Sequence, residues 1–388
     1  MVEAKLSKEQ RFILACSRIY NDEVDKSEII SLLQYNLNWG ALLKFAIPNG
    51  VAPLIYKYIN SIGYKESIET VFYEQLRNAY FQTFSKNTRL IDTFFEIQKN
   101  LSYDDIPCIL LKGPVLAEMI YEDIGLRPME DIDILVHEKH LEKTNDLMLE
   151  MGFQQASIVK SDFVDSYTEK HHLPQFIKGV TKAEIHWHIY NKDEHIKINI
   201  EDLWERSIKV NINNEEVGIL SPEDFLINLI LHLDSHFTGG KIRMGHFCDI
   251  AEYCRKQKLN WDVFFQNAEK YNAKEIINNF LYLISKYFDV ALPVEISSPS
   301  DDSIEYRFLA LLQGKKYAPG NRNFNVEKLH EVNGFGNKLR FFYNDLFPSK
   351  KFMILRYNIK NKNLFIFYYP YRVFDGVIKY FRYLIVKK

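Results

Sequence analysis

Residues 106–136, IPCILLKGPVLAEMIYEDIGLRPMEDIDILV, decide how the rest of the chain is read. The stretch divides into an apolar run over 106–111, a Lys112-Gly113-Pro114 turn, a brief helical segment over 116–121, a turn over 125–128 and a second apolar run over 132–136. Pro107 lacks the N–H that a central strand uses, so the first strand is expected to begin at or just after it. Side chains alternate along a strand with a period of two, which sends Asp131 and Asp133 to one face. Ile132, Ile134 and the Leu135-Val136 pair anchor that strand in a sheet. Two carboxylates held this way repel each other unless a cation lies between them. Chemistry is expected here.

Moving outward, residues 183–190, AEIHWHIY, alternate in character. Glu184, His186 and His188 would face one way, with Ile185, Trp187 and Ile189 facing the other. Such a strand, placed beside the first, brings Glu184 up as a third carboxylate. Between the two lie an amphipathic helix over 139–151, closed by Gly152, and a segment in which His171-His172 and Pro174 read as a surface loop or edge. The mixture implies a small α/β sheet ending near 217–220.

Both flanks read as helical. Helices are expected over 8–20, from a cap at Asp25 or Ser27 through Leu33, over 39–46 and 51–59, and over a long amphipathic run at 68–100. Pro48-Asn49-Gly50 is a strong turn signal. Downstream, Ser221-Pro222-Glu223-Asp224 opens a helix running through His236, with Pro at its first position and acids in its first turn. Helices over 247–256, 261–271 and 273–287 follow. Loops are expected at 320–325 and 333–337, and helices at 341–346 and 371–386. The division is therefore an N-terminal helical region (1–98), an α+β core with a small mixed sheet (99–220), and a C-terminal helical region with a basic, aromatic tail (221–388).

At 388 residues the chain exceeds one ordinary core. Its composition, 47% hydrophobic and 26% charged, is that of a folded protein and excludes a disordered one. Net charge is only −2, but residues 350–388 carry ten Lys/Arg against Asp375 alone. That tail could meet nucleic acid or a membrane surface; an amphipathic helix with its aromatics packed and its lysines solvated is the simpler reading. Four scattered cysteines with no C-x-x-C pair read as free thiols. With no apolar run of the roughly 20 residues that span a bilayer, a cytoplasmic setting is expected.

The strand, glycine turn, short helix and R-P-x-x-D-x-D strand resemble the nucleotidyltransferase superfamily that includes DNA polymerase beta and the antibiotic-modifying enzymes. More narrowly, LLKG, DIDILV, the EIHW strand, SPEDFLINLILHLDSH and FCDIAEY are similar to a large bacterial group described as an uncharacterised nucleotidyltransferase family. The resemblance covers roughly residues 30–280. It implies a mixed-sheet nucleotidyltransferase core with helical additions, an NTP donor and a divalent cation, Mg²⁺ (or Mn²⁺), with the metal-carboxylate roles falling on Asp131, Asp133 and Glu184. One departure stands out. The superfamily's turn glycine is usually followed by serine or glycine, whereas Gly113 precedes Pro114, which has no N–H for a phosphate.

On this reading Lys112 and Gly113 position the triphosphate, and Glu184 serves as third ligand or base. Arg127 contacts phosphate or pairs with Glu130 or Asp131. His186 is a metal ligand, an acceptor contact or a buried hydrogen-bonded histidine, and His188 is expected to be the last of these. His232 and His236 stand i, i+4 on one helix, a spacing that can share a metal. No glutamate lies between them as in H-E-x-x-H, so a dedicated zinc site is not expected; they are expected to line the acceptor cleft opposite the aspartates or to hold the Gly239-Gly240 loop, with Lys241 and Arg243 adding charge there. The expected activity is metal-dependent transfer of a nucleoside monophosphate from an NTP to a hydroxyl or phosphate acceptor, a small molecule in preference to a macromolecule. The rivals are a toxin-like transferase acting on protein or tRNA, and a non-catalytic nucleotide-binding scaffold.

Overall fold

The computed structural model describes residues 6–18, 24–65, 68–155, 171–190, 195–239, 241–294, 296–299, 303–314 and 362–370. The chain divides into two units, residues 1–317 and 318–388.

Among the described residues five helices precede the sheet: α1 (Lys8–Cys16), α2 (Val24–Leu33), α3 (Trp39–Ala46), α4 (Ala52–Ser61) and α5 (Thr70–Tyr103). Ser7 and Gln10 start α1 with a reciprocal capping box. Asp25 and Ser27 lie inside α2 rather than capping it; an acid suits the first turn as well as the cap, because both sit at the positive end of the helix dipole. The long helix α5 buries Leu90, Ile91, Phe94, Ile97 and Leu101 along one side, and this helical-period stripe packs on the sheet at β2 and β5.

Among the described residues the sheet has seven strands in the order β3-β4-β5-β2-β1-β7-β6: β1 (Cys108–Leu111), β2 (Ile132–Val136), β3 (Gln154–Gln155), β4 (Phe176–Lys178), β5 (Thr181–His186), β6 (Ile208–Ile212) and β7 (Glu215–Ile219). It is mixed: β1 runs antiparallel to β2, while β2 and β5 are parallel. The α+β class and the mixed sheet expected from sequence are what the structure has. As the proline demanded, β1 starts after Pro107. A helical turn α6 (Gly113–Val115) then widens into a π-helix over Leu116–Ile120, and α7 (Leu141–Glu150) ends before Gly152 in its left-handed conformation, φ 85°.

After the sheet come α9 (Pro222–Gly239), α10 (Met244–Lys256), α11 (Trp261–Lys270), α12 (Lys274–Phe288) and α13 (Ser303–Leu312), with a short α8 (Ile200–Glu205) between β5 and β6. Ser221 caps α9, its hydroxyl accepting from the Asp224 N–H at 3.3 Å. The turn at Pro48-Asn49-Gly50 caps α10: Met244 N–H donates to the Asn49 side chain (3.2 Å) and Gly245 N–H to the Asn49 carbonyl (2.9 Å). All four cysteines are free thiols. Among the described residues no helix is long and apolar enough to cross a membrane. In the second unit, a 3-10 helix spans Lys362–Phe367, with Leu364, Ile366 and Phe367 exposed. The expected elements at 320–325, 333–337, 341–346 and 371–386, and most of the basic tail, lie outside the described residues.

Two contacts shape the loop that leads into β2. Asn87 of α5, fully buried, donates to the Arg127 carbonyl at 2.8 Å and accepts from Met129 N–H at 3.3 Å. Gly125 packs so tightly on Tyr80 that a Cβ would lie 2.4 Å from a ring carbon. That ring sits against Tyr56 and Phe81, with centroids 5.3 and 5.2 Å away, and its hydroxyl bonds Asp123. It has little room to yield. Gly125→Ala is therefore expected to destabilise the fold by about 1–3 kcal/mol, read as a lower urea midpoint at unchanged slope.

Candidate active site

Strand register assembles the carboxylates. On β2, Asp133 lies opposite Leu111 of β1 on one side and Glu184 of β5 on the other. Asp131 stands one residue ahead of β2, and Gln175 ties it to Glu184, its amide donating to Glu184 at 3.1 Å and to Asp131 at 3.4 Å. All three carboxylates line one cleft of about 340 Å³.

Asp133 is the most enclosed, 7% exposed. Its Oδ1 meets His186 Nε2 at 2.8 Å and its Oδ2 meets Lys112 Nζ at 3.1 Å. Burial alone would raise its carboxyl, but the Lys112 ammonium and the His186 bond together hold it well below the usual range. Among the described residues Asp131 forms no ion pair, and the Lys112 charge lowers its carboxyl only in part. Burial, then the neighbouring charges of Asp133 and Glu184, push it up to about 7. His186 is itself buried, which lowers its pKa against the pull of Asp133; its Nε2 also lies 3.6 Å from Glu184. Asp133, Glu184 and His186 bring potential ligand atoms within 4.8 Å of one another.

Lys112 follows β1 directly, with φ 47° and ψ −96°, a conformation lysine rarely adopts. The backbone bends there, and the ammonium ends between Asp133 and His232 Nδ1, which is 3.4 Å away. Gly113 packs closely beneath it: a Cβ would come 2.9 Å from Met129 Sδ and 3.4 Å from Arg127 Nη1.

The facing wall comes from α9 and α10. His232 Nε2 and His236 Nε2 are 3.0 Å apart, and the His246 ring lies 4.8 Å from that of His236. Lys241 and Arg243, on the connection between the helices, also line the cleft. Arg127 pairs with neither Glu130 nor Asp131. It instead forms a two-pronged ion pair with Asp249 of α10, Nε to Oδ1 at 2.9 Å and Nη2 to Oδ2 at 2.8 Å, and the Tyr121 hydroxyl donates to the same Oδ1. Glu130 is occupied by Lys86 and Arg243. A buried bidentate pair outbids looser surface partners because its geometry satisfies both charges at once.

The residues singled out from sequence thus converge: Lys112, Gly113, Arg127, Asp131, Asp133, Glu184, His232 and His236 all line the cleft, and His186 sits directly behind it against Asp133. His188 lies beyond the end of β5, half-buried, with its Nδ1 accepting from Tyr190 N–H at 3.2 Å and its Nε2 3.1 Å from the Ile198 carbonyl, so it is hydrogen-bonded as expected but not fully buried. His171-His172 is no surface loop. Leu173 N–H donates to the Ile185 carbonyl at 2.8 Å and His172 bridges to His186, since Pro174, lacking an N–H, only interrupts the pairing that β4 makes with β5. Gln175, His246 and Asp249 escaped the sequence reading. Asp249 carried a signal, an acid amid Phe247, Cys248, Ile250 and Ala251 that burial would oblige to find a cation; Gln175 carried none.

Residues 35–289 match the family described as Uncharacterised nucleotidyltransferase. Comparison with curated protein sequences finds no match. Among solved structures the chain is similar to an antigenic nucleotidyltransferase-like protein from Paracoccidioides brasiliensis, at 16% identity over 57% of this chain and 97% of that one, with a TM-score of 0.28. The family match takes in more than half of the chain, the whole sheet and the cleft included, and the protein belongs to this family of nucleotidyltransferases.

Proposed function

We propose that this nucleotidyltransferase moves a nucleoside monophosphate from an NTP to a hydroxyl or phosphate of a small cytoplasmic acceptor, releasing pyrophosphate. The observation that carries the reading is the juxtaposition of Asp133 with Glu184 across β2 and β5, with Asp131 drawn into the same cleft by Gln175.

Carboxylate oxygens are the donors that Mg²⁺ or Mn²⁺ takes. An Asp131 carboxyl pushed up to about 7 marks negative charge that the protein's own cations leave unbalanced. Asp131, Asp133 and Glu184 therefore fit a divalent ion, which when bound would neutralise phosphate oxygens and lower the pKa of the acceptor hydroxyl. His186, holding Asp133 Oδ1 at 2.8 Å, fixes the direction in which Oδ2 points. Glu184 stands to receive the acceptor's proton or to act as a third ligand. The acceptor oxygen forms a bond to the α-phosphorus as the bond from that phosphorus to the bridging oxygen breaks, and pyrophosphate leaves with the electron pair. Lys112 is placed to exchange Asp133 for a phosphate oxygen. Pro114, two residues on, supplies no N–H, so a lysine charge takes the part that backbone donors play in a glycine-serine turn. Arg127, through Asp249, fixes the loop ahead of β2 and backs Gly113. His232 and His236 face the carboxylates across the cleft, where the acceptor would enter.

The decisive experiment incubates the protein and Mg²⁺ with each labelled NTP and with separated metabolite, RNA and protein fractions of a cell extract. Pyrophosphate release with label in a small molecule is expected. Label in RNA or protein would replace the small acceptor with a macromolecular one; no release with any NTP and any fraction would overturn transfer itself. In the active pairing, Asp133→Asn should lower turnover by about 100-fold or more at an unchanged circular-dichroism spectrum.

Asp131 also makes a pH prediction. A carboxyl at about 7 in the fold, against ~3.9 in the unfolded chain, binds its proton more tightly when folded. The metal-free protein therefore loses stability as pH rises from acid towards neutral, and the full cost is present above pH 7. Asp131→Asn is expected to raise the melting temperature of the metal-free protein at pH 8 and to leave it unchanged near pH 4, as measured by thermal unfolding in chelator.

A further inference from the structure

The wall that faces the carboxylates carries three imidazoles and no carboxylate among their potential ligand atoms. His232 and His236 lie one turn apart on α9, and His246 comes from the first turn of α10. Each offers a nitrogen, and these atoms all lie within 4.8 Å of one another. His232 Nε2 and His236 Nε2, at 3.0 Å, are close to the separation of two nitrogens bound to one ion with metal–nitrogen bonds of about 2.0–2.1 Å. His246 Nδ1 is buried and has no hydrogen-bond partner among the described residues. A buried polar atom of that kind calls for an unseen ligand, water or ion.

From this geometry we infer that His232, His236 and His246 form a second metal site, distinct from the carboxylate cluster, that takes a borderline transition-metal dication of the zinc class. This site does not rest on the nucleotidyl-transfer reading. Three imidazoles suit zinc, nickel or copper, whereas Mg²⁺ takes oxygen. Three protein ligands leave a coordination position open towards the cleft.

The i, i+4 pair alone argued against such a site, since H-E-x-x-H needs its glutamate. What the pair lacked was a third ligand, and tertiary structure supplies it from the next helix. Asn49 holds it there by bonding the Met244 and Gly245 N–H groups immediately before it.

Charge around the cluster is compatible with a bound cation. Lys112 is paired with Asp133 at 3.1 Å, Arg127 with Asp249 at 2.8 Å and Arg243 with Glu130 at 3.1 Å. Lys241 is exposed, and its charge is screened by solvent. All three histidines have lowered pKa values, burial being the first cause in each and neighbouring charge, Lys112's included, adding to it. Ligation of His232 through Nε2 places its ring proton on Nδ1, the atom that faces Lys112, and the ammonium is then left to Asp133.

The test is calorimetric titration of the chelator-stripped full chain with Zn²⁺ in excess Mg²⁺. One zinc per chain is expected in the wild type. His246→Ala and His236→Ala should each weaken it by about 100-fold or more, whereas Glu184→Gln leaves it unchanged. No zinc uptake by the wild type overturns the site, as does uptake that Glu184→Gln abolishes and His246→Ala spares. Cobalt(II) gives a second readout on the wild type alone, independent of whether the variants fold. Intense visible bands of a four- or five-coordinate, nitrogen-rich site are expected, and the weak spectrum of an octahedral oxygen site overturns the inference.

Discussion

A carboxylate buried to 7% exposure cannot stay charged without partners, and Asp133 has two, an ammonium on one oxygen and an imidazole on the other. Much of the core follows from meeting that requirement. Lys112 reaches Asp133 because it is the residue immediately after β1, the strand antiparallel to β2, and because the chain bends sharply at that residue. His186 reaches it because β5 lies parallel to β2 on the other side, two positions along from the pairing of Asp133 with Glu184 and on the same face. The opposite face of the same strands carries Ile132, Ile134 and Ile185, fully buried under α5. One strand thus holds a charged site on one face and the hydrophobic core on the other, and a slip of one residue would exchange them.

A second polar connection joins this core to the helices that follow it. Asp249 of α10 receives Arg127 in two hydrogen bonds and Tyr121 in a third, both from the segment between β1 and β2. Asn49, from the turn between α3 and α4, caps α10 at its start. The cleft therefore has walls fixed from three parts of the chain: the sheet, the α9–α10 pair and the turn before α4. Its two sides differ in donor chemistry. Oxygen predominates on the sheet side and imidazole nitrogen on the helical side, and the proposed activity and the inferred second metal each use one of them.

Much of this was legible in the residues. Alternation gave the two strands, and the stop signals at Pro107 and Gly152 bounded the elements near them. The D-x-D spacing, Glu184 on its own alternating strand and the i, i+4 histidines all pointed at side chains that do line or back the cleft. These features are local: period, caps and breakers act over a few residues, and a sequence displays them directly. Partner choice was less accessible. Arg127 passes over the nearby Glu130 and Asp131 for Asp249, 122 positions away, because a bidentate pair needs a particular approach and not a short separation along the chain. For His171-His172 the sequence left a loop and an edge strand both open, and the bridge from His172 to His186 fits the second.

The sequence alone determined which face each strand residue takes, where the principal helices run and which residues carry the charge, since backbone geometry and the period of the side chains settle those locally. Tertiary structure decided which groups share a space. Only strand register sets Asp133 beside Glu184, and only the packing of α10 against α9 brings His246 to His232 and His236. It also separates the electrostatic states of Asp131 and Asp133, chemically identical and two residues apart, one pushed up to about 7 and the other held well below the usual range. The physical reason is distance: Coulomb and hydrogen-bond energies act between neighbours in space, and strand pairing and helix packing make those neighbours.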